Sequence, residues 1–214
     1  MTDLTFYTNP MSRGRIARWM LEELGEPYET VVLGYGASMK APEYLAVNPM
    51  GKVPAIRHGD SVVTECGAIC AYLADAFPAR SLAPPVGDAR RAPYFRWLFF
   101  AAGPFEQAVT GKALGLLATE EQSRMVGYGT YEATIDALER AVSGSLYLCG
   151  DTFTAADVYV GSSIGWGLQF GTVPKRPAFE EYFARLAARP AAIRANEIDD
   201  GLMAELKAQE AQPA

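Results

Sequence analysis

The chain carries a single histidine, His58, among 214 residues, and that scarcity removes whole mechanisms. A metal centre of several imidazoles is impossible, and a Ser-His-Asp triad would have to be built on His58. The residue lies in RHGDS, which reads as a hairpin turn, where a solvated imidazole is the ordinary expectation. Cysteine is scarce as well. Cys66, Cys70 and Cys149 are an odd number with no C-x-x-C spacing, which argues against a disulfide framework or a dithiol redox site and fits a reducing, cytoplasmic setting. Positive charge is in deficit: 19 Lys and Arg face 25 Asp and Glu, a net charge of −6. The basic footprint of a nucleic-acid binder is therefore missing. The apolar stretches fall short of the ~20 residues that a membrane helix needs, so no membrane partner is expected. The opening MTDLTFYTNP has an early Asp and no basic, apolar leader, so no secretory signal is read. With no metal expected, the chemistry left is one that asks few ionisable groups of the protein, such as activation of a nucleophile brought by the ligand.

What the chain does have is apolar content. Half its residues are hydrophobic and 21% are charged, the opposite of a disordered composition. Two patterns divide it. Residues 3–8 alternate as a strand; 13–25 recur at helical spacing and stop at Gly25; 28–33 read as a strand and 42–47 as a short helical turn. Residues 53–57 and 61–64 flank a turn at Gly59-Asp60, and 65–76 return to helical spacing. The Pro- and Gly-rich stretch 77–88 reads as a linker. Beyond it, 89–117, 120–143, 154–170 and 178–195 are all helix-like, Pro104 is expected to kink the first of these, and no strand is expected in 89–214. Strands followed by helices imply two architectures: an α/β domain over 1–82 and an all-helical domain over 88–214. The polar, Ala-rich tail KAQEAQPA is expected to be mobile.

The strongest local signal is NPMGKVPAI at 48–56, followed by TECGAI at 64–69. Pro54 stands where a loop enters a strand; it cannot donate to a sheet ladder, and a cis bond there would leave the N–H and C=O of Val53 facing outward, available to an extended peptide. Ten residues on, Thr64-Glu65-Cys66 closes a strand and opens a helix, where main-chain N–H groups favour an anion and Glu65 is placed to pair with an ammonium. A peptide clamp, an anion nest and a cation acceptor thus share one short stretch; a proline turn followed by a plain helix cap is the bland alternative.

This two-part run resembles the glutathione-binding stretch of the cytosolic glutathione transferases, which reads N-P-x-G-x-V-P and then E-S-x-A-I-x-x-Y-L. The resemblance extends to the order of elements, and implies a thioredoxin-like α/β N-terminal domain followed by an all-α C-terminal domain. GDTFTAADVYVG at 150–161 adds an S/T-x-x-D capping box on Thr154 and Asp157, a structural feature the family shares. The implied ligand is glutathione, as cosubstrate. Val53 becomes the main-chain clamp, Pro54 the cis proline, and Glu65 and Cys66 the holders of the γ-glutamyl end. Lys52 and, less directly, Lys40 are candidates for the glycyl carboxylate. Cys66 replaces the family's usual serine, and a thiol is the weaker donor.

Activating a thiol requires only a hydrogen bond that favours the thiolate. In the resembled family that donor comes from the end of the first strand or the loop after it, here YTNPMSRGR. Ser12, just ahead of a helix, is the first candidate, with an N-cap as its ordinary role. Tyr7 is the rival, and Thr8 and Asn9 are also donors. On the electrophile side, Trp97, Phe105 and Gln107 are candidates to border a cosubstrate pocket, although aromatic runs at helical spacing are usually packing. The implied activity is conjugation of glutathione to a small apolar electrophile by a homodimer. Two alternatives remain at this point: a transferase-like binding protein with weak or no turnover, and a glutathione-dependent thiol reductase or peroxidase.

Overall fold

The computed structural model describes residues 3–210. Four strands form one mixed sheet in the order β2-β1-β3-β4: β1 (Leu4–Thr8), β2 (Glu29–Val32), β3 (Ala55–His58) and β4 (Ser61–Thr64). β1 pairs parallel to β2 and antiparallel to β3, and β3 pairs antiparallel to β4. The parallel pair requires a crossover, supplied by α1 (Gly14–Leu24). Leu4, Phe6 and Thr8 of β1 are buried and alternate with half-buried Thr5 and Tyr7. α1 buries Ile16, Ala17, Trp19, Met20, Leu21 and Leu24, then stops where Gly25 turns left-handed at φ 66° and its N–H reaches the Leu21 carbonyl at 3.0 Å. A single turn, α2 (Pro42–Leu45), and the helix α3 (Cys66–Ala76) complete the α/β layer.

The second unit, Phe77–Ala187, holds α4 (Arg91–Phe100), α5 (Glu106–Leu114), α6 (Tyr131–Ser143), α7 (Ala155–Phe170) and α8 (Pro177–Ala187). Pro104 does not break its helix: Ala101–Phe105 form a π-helical turn that joins α4 to α5, a widening that tolerates the missing N–H. The expected helix 120–143 is interrupted, with a short 3₁₀ turn at Glu121–Arg124 and α6 starting only after Thr130 caps the Ala133 N–H at 3.1 Å. One isolated bridge, Tyr147 to Gly150, is the only strand-like pairing in this unit among the described residues. Thr154 and Asp157 form the capping box at the start of α7.

The compact units are not split as 1–82 and 88–214. Helix α9 (Pro190–Glu210) groups with the residues up to Ala76. The expected helix 178–195 breaks at Pro190, which starts α9, and α9 then lies along α1. Charge explains the pairing. Arg18 of α1 is 2% exposed, over the Phe6 ring at 4.8 Å, with Nη1 donating to Tyr28 Oη and Thr30 Oγ1 at 2.9 Å each. A buried guanidinium needs a counterion, and α9 supplies buried Asp199, whose Oδ1 lies 3.2 Å from Arg18 Nε. Glu23–Arg189, Glu22–Arg194 and Arg15–Asp200 pairs flank it. The helical register of the expected tail therefore runs to Glu210; its last four residues, 211–214, lie outside the described residues. No helix among the described residues is long and apolar enough to cross a membrane.

Candidate active site

The loop between β1 and α1 is fixed carbonyl by carbonyl. Asn9 O accepts from Ser12 N at 3.0 Å and from Ser12 Oγ at 2.7 Å. Pro10 O accepts from Arg15 Nε at 2.6 Å, Met11 O from Tyr35 Oη at 3.1 Å, Ser12 O from Arg15 N at 3.3 Å, and Arg13 O from the Cys66 thiol at 3.6 Å. Asn9 anchors the loop to the end of β2, its Nδ2 donating to Leu33 O at 2.7 Å. Ser12 is half-buried, and its Oγ also accepts from Gly14 N at 2.9 Å. Ser12 stands one residue ahead of the N-cap position, Arg13, and presents a hydroxyl polarised by a main-chain donor.

Gly14 allows this geometry. A Cβ built there would lie 2.0 Å from Thr8 Oγ1 and 3.0 Å from Ser12 Oγ. Thr8 is fully buried and its hydroxyl has no hydrogen-bond partner, so it cannot serve as a donor to a ligand at the surface. Gly14→Ala is expected to lower the unfolding free energy by about 1–3 kcal/mol through overpacking and to displace Ser12, cutting turnover at least about tenfold. Denaturant unfolding alongside initial rates checks both parts.

Tyr7 faces the other way from the core residues of its strand. Its ring lies 5.6 Å from that of Tyr44, and it packs with Val53 against the cluster of Leu33, Met39, Tyr44, Val47 and Ala55. Its hydroxyl has no hydrogen-bond partner among the described residues.

The clamp loop follows. The Val53–Pro54 peptide is cis, and Val53 N–H and C=O have no partner among the described residues. The carbonyl just before it, Lys52 O, accepts from Tyr44 Oη at 2.6 Å and Asn48 Nδ2 at 2.8 Å. Burial pushes the Tyr44 phenol up to about 12, so it stays a donor at any working pH. Lys40 is turned into this loop: its Nζ donates to Met50 O at 3.0 Å and Gly51 O at 3.1 Å. Two of its three donors thus position the loop, and the ammonium stays exposed. Lys52 is exposed and its ammonium has no partner among the described residues. We expect Tyr44→Phe to raise the glutathione KM about three- to tenfold with little change in kcat, since one neutral hydrogen bond of ~0.5–1.5 kcal/mol preorganises the clamp; steady-state kinetics with varied glutathione checks it.

At the start of α3, Glu65 sits in the left-handed region at φ 67°, exposed, with its carboxylate unpartnered among the described residues. Left-handed backbone is unfavourable for a side chain this long and concentrates at ligand sites; nothing in the sequence signalled it. Cys66 is 7% exposed and its thiol is directed at Arg13 O, so the helix start is tied to the Ser12 loop, and the thiol is not presented outward as a nucleophile or γ-glutamyl donor. The first turn of α3 offers main-chain N–H groups of the kind that favour an anion.

The other sequence candidates lie in the second unit. Trp97 and Phe105 are 6% and 2% exposed; Trp97 packs against Phe100 and under Arg96, and Phe105 closes the π turn. Both are core residues with almost no surface to offer a ligand, which corrects their reading as pocket walls. Gln107 is exposed. His58 is not a solvated turn residue: half-buried at the end of β3, its Nδ1 is 2.9 Å from Tyr72 Oη. Among the described residues no group of three His, Cys, Asp or Glu is arranged to hold a metal ion.

The cis Val53–Pro54 peptide, the start of α3 and the Ser12 loop thus lie on one four-stranded α/β layer of the thioredoxin-like type. Family models match accordingly: the glutathione S-transferase N-terminal domain over residues 11–76 and the C-terminal domain over 93–190. The chain is 32% identical over 168 residues to glutathione S-transferase GstA of Escherichia coli O157:H7, covering 76% of this chain and 78% of that protein. Among solved structures it is similar to a glutathione transferase from Methylococcus capsulatus str. Bath, at 28% identity and a TM-score of 0.74 over 92% of this chain and 98% of that one. A sphingomonad glutathione S-transferase complexed with glutathione matches at 27% identity and a TM-score of 0.73, again over 92% and 98%. The chain belongs to the glutathione S-transferase family, and glutathione is the cosubstrate of its transferase activity.

Proposed function

We propose that this transferase binds glutathione along Val53, Pro54, Glu65 and the α3 start, and that Ser12 donates its hydroxyl proton to the sulfur for attack on a small apolar electrophile. One observation carries the reading: the three site segments converge in a single unit. The Cys66–Arg13 contact ties the α3 start to the Ser12 loop, and the cluster shared by Tyr7 and Val53 ties β1 to the clamp. Ser12 can change partners at small cost. Its hydroxyl now donates to Asn9 O, but that carbonyl keeps the Ser12 N–H when the proton rotates toward a thiolate. Gly14 N–H on Ser12 Oγ strengthens the donor. Lys52 supplies the cation for the glycyl carboxylate, and Glu65 the anion for the γ-glutamyl ammonium.

A second reading has an observation of its own. Tyr7 holds an unpartnered hydroxyl on the cluster that supports Val53, and makes it the alternative sulfur donor. A crystal structure with glutathione separates the two: the sulfur within about 3.5 Å of Ser12 Oγ is the expected result, and a sulfur on Tyr7 Oη overturns the assignment.

The homodimer belongs to the same proposal. Met50 and Phe99 are 66% and 72% exposed, large apolar side chains of the kind that interfaces between copies cover. The cytoplasmic setting is supported by three free, buried cysteines, as a reducing compartment permits.

A further inference from the structure

The sulfur donor is held by a residue that the clamp does not use. Arg15, in the first turn of α1, is about one-fifth exposed and grips two elements at once. Its Nε donates to Pro10 O at 2.6 Å, and its Nη2 donates to Asp200 Oδ1 of α9 at 2.6 Å. Pro10 stands between Asn9, whose carbonyl holds the Ser12 hydroxyl, and Ser12 itself. The Arg15 fork thus pins the middle of the loop, and Asp200 fixes the direction of the fork from a helix 185 residues away in sequence. We propose that Arg15 is a positioning residue for the thiol-activating hydroxyl of Ser12, oriented by Asp200, so that the C-terminal helix supports the chemistry of the first unit.

Physical reasons favour Arg15 over its neighbours. The other carbonyls of the loop are met by local main-chain groups, the Ser12 hydroxyl, a phenol or a weak thiol donor, whereas Pro10 O receives the one charge-assisted hydrogen bond, the stronger kind. A planar guanidinium can serve a carbonyl and a carboxylate together in fixed directions; a lysine ammonium on its flexible stem cannot hold both with the same geometry. Neighbouring Arg18 carries the structural burden of the α1–α9 contact through buried Asp199, so α9 has an anchor independent of the more exposed Arg15–Asp200 pair.

This inference rests on Ser12 being the sulfur donor, and the experiment separates the two. The whole enzyme is prepared as wild type, Arg15→Gln, Arg15→Lys, Asp200→Asn, Ser12→Ala and the Ser12→Ala/Arg15→Gln double variant. For each, kcat and glutathione KM are measured with a generic aromatic electrophile, and the bound thiol is titrated by thiolate absorbance. Circular dichroism confirms folding, and Arg15→Lys keeps the charge should Arg15→Gln unfold. The expected result is a kcat at least about tenfold lower in Arg15→Gln, with a raised bound-thiol pKa and a KM within about threefold. Arg15→Lys recovers less than half of the lost kcat, Asp200→Asn falls between wild type and Arg15→Gln, and Arg15→Gln has no further effect once Ser12 is alanine. A wild-type kcat and thiol pKa in Arg15→Gln overturns the proposal, as does full rescue by lysine or an equal loss in the Ser12→Ala background. A Ser12→Ala variant that keeps the wild-type thiol pKa instead overturns the sulfur-donor reading, whatever Arg15 does.

Discussion

Ser12→Ala is expected to lower kcat at least about tenfold, and up to about a thousandfold, while glutathione KM changes by less than about threefold. The split follows from where Ser12 sits. Its hydroxyl touches neither Val53 nor Glu65, so removing it is expected to spare the main-chain and terminal contacts proposed for the tripeptide. What is lost is a hydrogen bond that favours the thiolate over the thiol, a difference realised at the reacting atom. The loop itself keeps its shape: Asn9 O retains the Ser12 N–H, and Asn9 Nδ2, Arg15 and Tyr35 still hold their carbonyls. The Gly14 N–H that now donates to Ser12 Oγ is left to water, costing about 0.5–1.5 kcal/mol as for one lost neutral hydrogen bond, and a loss of unfolding free energy of that size accompanies the kinetic change. A Ser12→Ala enzyme with wild-type kcat would transfer the role to Tyr7, and Tyr7→Phe would then show the loss.

The largest effect on stability is expected at Asp157. Its carboxylate is fully buried and accepts four hydrogen bonds: Leu148 N and Thr154 N at 2.8 Å, Thr154 Oγ1 at 3.0 Å, and Tyr182 Oη at 2.8 Å. Burial raises its pKa from the ordinary carboxylate range despite these donors, and the Tyr182 phenol, fully buried and facing a carboxylate, is pushed well up. Alanine would leave two main-chain N–H groups and a phenol in a dry site without an acceptor, and the Thr154 hydroxyl with only the Cys149 sulfur at 3.8 Å. At about 1–3 kcal/mol for each group that water does not reach, a total loss of about 3–5 kcal/mol is expected, seen as a lower denaturant midpoint with an unchanged m-value. Asp157→Asn keeps one acceptor oxygen and should lose less. A loss under about 1 kcal/mol in Asp157→Ala would mean that water replaces the carboxylate and that the box is not a major anchor of the second unit.

The sequence carried these features unequally, for physical reasons. The capping box on Thr154 and Asp157 was legible because a capping box is local: three residues apart, both partners on one turn. So were the strands of the hairpin around Gly59-Asp60 and the cis Val53–Pro54 peptide, which short-range turn chemistry and the recognised motif indicate. The placement of α9 was not, because it depends on Arg18 and Asp199 finding each other across 181 positions, and helical periodicity says nothing about which unit a helix joins. Lys40 shows a related limit: no local pattern reveals that its Nζ donates to the Met50 and Gly51 carbonyls. Trp97 and Phe105 repeat the lesson from the apolar side, since helical spacing cannot distinguish a pocket wall from a core. Cys66 stood at the right position but with its thiol aimed inward at Arg13 O, an orientation fixed by the packing of α3 on the loop rather than by the motif.

The central claim is that the protein supplies a single hydroxyl, from Ser12, to hold glutathione as its thiolate. The most direct measurement is the thiolate absorbance of glutathione bound to the wild-type enzyme and to Ser12→Ala, titrated over pH. The expected result is a bound-thiol pKa at least about one unit below the ~8.5 of an ordinary thiol in the wild type, returning toward that value in Ser12→Ala. Equal pKa values in the two enzymes would contradict it.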